Sequence, residues 1–91
     1  MSYSIEFSLE VQKILKKYKK SNPNAFKKLY DIMPDLENHP RTGIGHPEPL
    51  KFGNGLRYSR RLTAHDRVIY DIYDDTVEVL IIQIEGHYSD K

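Results

Sequence analysis

The chain contains no cysteine, which excludes a disulfide framework and any cysteine-based metal site. Most small secreted domains need such staples, so a cytoplasmic location is expected. No apolar run approaches the ~18 residues of a membrane-spanning helix, and no membrane partner is expected. The first residues, MSYSIEFSLEV, have no basic region followed by a long apolar stretch, so they do not read as a signal peptide. His39, His46, His65 and His87 are scattered, with neither H-x-H nor H-x-x-x-H spacing, so no metal site is expected. No G-x-x-x-x-G-K-[ST] phosphate loop and no G-x-S-x-G elbow is present, and no cofactor is implied. Internal repeats and low-complexity segments are also missing.

What is present fits one small domain spanning residues 1–91. Hydrophobic residues make up only 38% of the chain and charged residues 30%. Such a chain buries one modest core, and a permanent partner would help it. The net charge of +1 hides an asymmetry. Residues 1–67 carry 13 Lys/Arg against 7 Asp/Glu, whereas residues 68–91 carry 1 against 6. A one-sided cationic surface points to an anionic partner, nucleic acid first. The bland alternative is a solvated lysine face plus acidic turns.

Tyr3–Phe7 alternates and predicts a short strand. Ser8 is a helix N-cap. Leu9, Val11, Ile14, Leu15 and Tyr18 follow at helical spacing, predicting a first helix to about Lys20. Asn22-Pro23 caps a second helix, with proline at a position where its missing N–H costs nothing. Phe26, Leu29, Tyr30, Met33 and Leu36 form its stripe, and Pro34 inside that stripe is expected to kink or end it. The short link predicts an antiparallel helical hairpin. Residues 38–55, rich in glycine and proline, read as a long ordered loop. Three strands then follow, at 56–62, 67–73 and 77–84. The expected fold is α+β, in the order β-α-α-β-β-β. A helical hairpin would pack on one face of a mainly antiparallel four-stranded sheet.

Strand parity places Arg57, Ser59 and Arg61 on one face and Leu56, Tyr58, Arg60 and Leu62 on the other. A hairpin centred on Ala64 sets Arg61 opposite Arg67. Like charges so placed repel, which makes sense if an anion sits between them, and arginine suits phosphate. In the last strand Val79-Leu80-Ile81-Ile82 is apolar on both faces, as in a central strand or one covered by a partner. Whether His87 shares a face with the two arginines depends on the turn at Asp74-Asp75 or a bulge at Gly86.

Glu48, held between Pro47 and Pro49, joins Lys51, Arg61, Arg67, His87 and Tyr88 in a set suited to metal-free RNA cleavage. A base removes a ribose 2′-OH proton, an acid protonates the departing 5′-oxygen, cations stabilise the phosphorane, and a ring stacks on a base.

The run GHPEPLKFGNGLRYSRRLTAHDRVIYDIYDD, followed by His-Tyr near the end, resembles the YoeB/Txe group of RelE-like toxins from bacterial toxin–antitoxin systems. The signature is G-x-P-E-P-L-K, then S-R-R-[IL]-T-x-x-x-R-[LV]-[IV]-Y, then His-Tyr. The resemblance implies a RelE-like fold and a ribosome-dependent mRNA endonuclease that cuts A-site codons, leaving a 2′,3′-cyclic phosphate and a 5′-hydroxyl. By motif it makes Glu48 the general base, His87 the general acid, and Arg67 and Tyr88 catalytic. It makes Arg61 and Lys51 RNA contacts, and Arg60 in the same S-R-R run is a further candidate. Lys16, Lys17, Lys19 and Lys20, which flank Tyr18, are expected to meet ribosomal RNA. The implied partners are a YefM/Axe-type antitoxin, the ribosome, mRNA and a second copy in a homodimer. The outer face of the last strand is the expected antitoxin surface. A non-catalytic RelE/ParE-like toxin, or a degenerate one acting by binding, is the alternative. This chain departs from the signature in carrying Ser89-Asp90-Lys91 beyond the tyrosine.

Overall fold

The computed structural model describes residues 2–51 and 55–86. Strand β1 (Ser4–Phe7) turns its Ile5 and Phe7 to the core and leaves Ser4 and Glu6 exposed. Helix α1 (Leu9–Ser21) starts where the Ser8 hydroxyl accepts the Val11 amide, at 3.2 Å. It buries Val11, Leu15 and Tyr18. Helix α2 (Pro23–Asn38) follows after the single residue Asn22, whose side chain accepts the Ala25 amide. Its core face is Ala25, Leu29, Ile32 and Leu36.

One expectation for α2 is corrected and another is narrowed. Tyr30, read as part of the stripe, is 48% exposed, and Ile32 takes the core position. Pro34 does not end the helix, which runs on to Asn38. Pro34 lacks the N–H that would have bonded to Tyr30, but its own carbonyl accepts the Asn38 side-chain amide at 2.9 Å.

The sheet has five strands in the order β1-β5-β4-β3-β2, formed with β2 (Glu48–Pro49), β3 (Arg57–Arg61), β4 (Asp66–Tyr73) and β5 (Glu78–Gly86). Only β1 runs parallel to its neighbour, β5. The fifth strand lies inside the segment read as loop. Proline cannot donate to a ladder, so a strand of this composition survives only at an edge. There Glu48 pairs with Ser59 and Pro49 with Tyr58. The helices cover one face, where the core gathers Val11, Leu29, Leu36, Val68, Tyr70, Ile72, Val79 and Ile81.

The β3–β4 hairpin has the expected register, with Arg61 opposite Arg67. The β4–β5 connection does not supply the parity. Tyr73 pairs with Glu78 across a four-residue turn, which by itself would set Ile84 opposite Arg67. A bulge after the Tyr70–Ile81 pair corrects this, because Ile82 is the extra residue before Gln83 meets Ile69. Ile84 thereby returns to the core and Glu85 comes to face Arg67.

A buried guanidinium ties the loop after α2 to the sheet. Arg60 lies at 0% exposure, and all five of its N–H groups are used. Nε donates to the Tyr70 hydroxyl at 3.0 Å, and Nη1 donates to Asp35 Oδ2 at 2.5 Å and to the Ile44 carbonyl at 3.1 Å. Nη2 donates to the carbonyls of His39 and Thr42. The Tyr70 hydroxyl donates onward to the Pro40 carbonyl at 2.7 Å, and the Ile44 amide donates to Asp35.

Breaking such a buried pair strands polar groups, so Arg60→Met should lower stability by about 3–5 kcal/mol in urea denaturation. Asp35 adds a pH signature. Burial works to raise its carboxyl, but the Arg60 hydrogen bond, the Ile44 amide and the guanidinium charge outweigh it, and the group sits below its ordinary value. A lowered folded value contributes stability that is present above the unfolded value and lost as pH falls through the folded one. Wild-type stability should therefore fall more steeply below about pH 4 than that of Asp35→Asn. Parallel pH profiles would disprove this role for Asp35.

Candidate functional site

The face of the sheet away from the helices carries the charged residues. A cleft of about 500 Å³ opens there, lined among others by His46, Glu48, Ser59, Arg61, Asp66 and Arg67. Three candidates from three strands are thus brought together: Glu48 from β2, Arg61 from β3 and Arg67 from β4. All three are exposed. Register explains the grouping. Glu48 sits opposite Ser59, and therefore on the face of Arg61, which itself sits opposite Arg67.

Glycine controls how the Glu48 segment reaches β3. The Arg61 amide donates to the Gly45 carbonyl at 2.7 Å. A Cβ on Gly45, whose φ is +87°, would lie 2.7 Å from the Arg61 carbonyl oxygen. A Cβ on Gly43, with φ +108°, would collide with the Asp35 carboxylate. The backbone stays left-handed at His46, with φ +52°. A residue with a Cβ bears about 1–2 kcal/mol of strain there, and the following proline restricts it further. Pro47 and Pro49 then leave Glu48 as the residue whose backbone pairs with Ser59.

The electrostatics are finely balanced. Arg67 Nε lies 3.4 Å from Glu85 Oε1, with both side chains about half exposed, and such a pair contributes at most about 1 kcal/mol. Among the described residues Arg61 has no ion-pair partner. Asp66, 7% exposed, is held inside the wall by the Thr63 hydroxyl at 2.6 Å and by the Asn22 amide at 3.2 Å. The arrangement offers a carboxylate base beside two guanidinium groups, open to solvent. Among the described residues no group of three or more His, Cys, Asp or Glu could hold a metal ion.

Other candidates lie elsewhere. Lys51 is exposed just after β2 and does not line the cleft. Lys16, Lys17, Lys19 and Lys20 are exposed along α1, outside the cleft, with Lys19 Nζ 5.9 Å from the Phe26 ring centre. Arg60 is corrected outright: a guanidinium with no exposed surface and five internal acceptors is not presented to RNA. Its strand parity, shared with Tyr58 and Leu62, carried that signal. His87 and Tyr88 lie outside the described residues. Leu80 and Ile82 of β5 are half-buried. Sequence reasoning missed His46, Ser59, Thr63 and His65 as cleft residues, and for His46 the signal was its position two residues before Glu48.

A family model described as "YoeB-like toxin of bacterial type II toxin-antitoxin system" matches residues 7–88. Toxin YoeB of Escherichia coli O6:H1 is 34% identical over 71 residues, 78% of this chain and 82% of that protein. The YoeB dimer from Staphylococcus aureus superposes with a TM-score of 0.80 at 26% identity, covering 97% of this chain and 100% of that one. The heterotetrameric YoeB–YefM toxin–antitoxin complex from Staphylococcus aureus gives 0.77 at 26% identity, with the same coverage.

The approach of residues 45–48 to β3 is open to test. Gly45→Ala should speed hydrogen exchange at the Arg61 amide by at least about tenfold, because the 2.7 Å bond to Gly45 cannot form around a Cβ. Unchanged protection would mean that this segment is held by something else.

Proposed function

This chain belongs to the YoeB-like toxins of bacterial type II toxin–antitoxin systems, and we propose that it acts as a ribosome-dependent mRNA endonuclease. One observation carries the reading: Glu48, Arg61 and Arg67, from three different strands, line a single solvent-open cleft. The substrate is mRNA in the ribosomal A site. Glu48 accepts the proton of a ribose 2′-OH, and the freed oxygen attacks the adjacent phosphorus. Arg61 and Arg67 donate hydrogen bonds to the phosphoryl oxygens as negative charge grows on them. The P–O5′ bond then breaks, and the leaving oxygen takes a proton from His87, the acid assigned by motif. The products are a 2′,3′-cyclic phosphate and a 5′-hydroxyl. Tyr88 stacks beside the reacting nucleotide, and Lys51 and the lysines of α1 meet RNA around the cleft.

A carboxylate between two prolines suits this work. A base must lie within hydrogen-bond reach of one hydroxyl, and an unrestrained loop would scatter it. Edge pairing of β2 restrains the segment further. The exposed cleft also explains dependence on the ribosome: two arginines on an open surface do not bind and bend an RNA strand unaided, whereas the A site would present it already unstacked. A YefM-type antitoxin segment docks on the outer face of β5, where Leu80 and Ile82 are half-buried, and the toxin pairs with a second copy. The relatives seen as a dimer and as a YoeB–YefM complex support both partners.

The reading is tested with purified ribosomes programmed with a defined mRNA, followed by primer extension. Wild-type protein should cut within A-site codons only when ribosomes are present. Glu48→Ala should lower the cutting rate by about 10²–10⁴-fold. Arg67→Ala should lower it by about 10²–10³-fold, the loss of one oxyanion-stabilising group. Growth arrest with intact mRNA would instead indicate a toxin that acts by binding.

A further inference from the structure

We propose that His46 is a substrate-binding residue of the cleft, contacting a phosphodiester of the RNA next to the one held by Arg61 and Arg67. This rests on the reading of the cleft as an RNA site. The motif shared with the YoeB group, G-x-P-E-P, leaves this position open and assigns it nothing.

Three observations converge on His46. It lines the cleft together with Glu48, Arg61 and Arg67. It is exposed, and among the described residues no hydrogen bond or ion pair engages its imidazole. Its backbone is left-handed at φ +52°, directly before a proline, where glycine would be free of strain. Among the described residues the other non-glycine residue with such a φ, Val77, sits in the four-residue turn between β4 and β5, where a tight reversal demands it. At His46 the chain instead carries a strained backbone on the rim of the cleft, and strain of this kind gathers at ligand sites.

Charge gives that side chain a task. Arg61 and Arg67 share this face with Glu48 and with Asp66 in the wall, and Glu85 is paired to Arg67. Two guanidinium groups among three carboxylates leave no net positive charge for a polyanion. His65, on the turn, also lines the cleft. An imidazole two residues from Glu48 adds an N–H donor beside the carboxylate, and a cation when protonated. It can therefore hold the backbone phosphate next to the cut one while Glu48 remains free to take the 2′-OH proton.

The test uses ribosomes programmed with mRNA of the preferred codon, comparing wild type with His46→Gly, His46→Phe and His46→Lys. Glycine suits the backbone, so His46→Gly should melt no lower than wild type, which separates binding from folding. It should raise KM about tenfold and lower kcat less than threefold, the pattern of lost ground-state binding. His46→Lys should restore KM to within about threefold, and His46→Phe should not. On ribosomes carrying a 2′-O-methylated A-site codon, His46→Gly should bind about tenfold more weakly, with a shallower salt dependence. Cutting by His46→Gly at wild-type KM would overturn the inference while leaving the nuclease reading intact. Full rescue by His46→Phe would overturn phosphate contact in favour of stacking on a base. Wild-type protein that neither binds nor cuts would overturn the nuclease reading itself, and this inference with it.

Discussion

The buried guanidinium of Arg60 is the constraint on which the functional face depends. Residues 39–45 have no regular structure, and of their side chains only that of Pro40 is buried. They lie against the sheet because the carbonyls of His39, Thr42 and Ile44 turn inward to Arg60, and that of Pro40 to Tyr70. Asp35, from the last turns of α2, supplies the countercharge. The requirement propagates along the chain. Gly43 must lack a side chain to admit Asp35, and Gly45 must lack one to meet the Arg61 backbone. His46, Pro47 and Glu48 then emerge at a set position on the rim. A buried ion pair is weak evidence for net stability, but here its effect is positional: it converts an irregular loop into a fixed platform for a carboxylate.

The two faces of the sheet divide the work. One face is apolar and closed by the helical hairpin. The other holds the charges, and the β5 bulge at Ile82 keeps the division strict. Without that extra residue Ile84 would leave the core and Glu85 would enter it. A second polar tie operates at the far end, where Arg41 and Tyr3 both bond to Asp74 and join the start of the chain, the loop after α2 and the β4–β5 turn. There the paired carboxyl of Asp74 is held low, chiefly by the Arg41 hydrogen bond, and the Tyr3 hydroxyl is pushed up, chiefly by its bond to Asp74. Arg41 and Asp74 are exposed and Tyr3 is half-buried, so this tie orients segments more than it stabilises them.

Local chemistry was legible from the residues. Ser8 and Asn22 announce their helices through capping, a one-turn interaction. The length of the Thr63–Asp66 connection sets Arg61 against Arg67. Misreadings arose where distant groups decide. Arg60 sits in a run of arginines and looks like a surface cation until Asp35, Tyr70 and four loop residues are assembled around it. Pro34 leaves a kink or an end equally open, because the interior of the domain, which holds Leu36 in place beyond it, cannot be seen locally. Pro47-Glu48-Pro49 reads as loop because a two-residue edge strand has no periodicity of its own and exists only through its partner.

Side chains a few residues apart were enough to specify the two helices, the meander, the pairing of Arg61 with Arg67 and a carboxylate held between two prolines. Only the tertiary structure decided that Glu48 faces the arginines, that Arg60 is internal, that a bulge rather than a turn corrects the last strand, and that His46 stands on the rim of the cleft. These depend on register and on carbonyls brought together from distant parts of the chain, and a pattern of residue types along one strand does not record which backbone groups meet across the sheet.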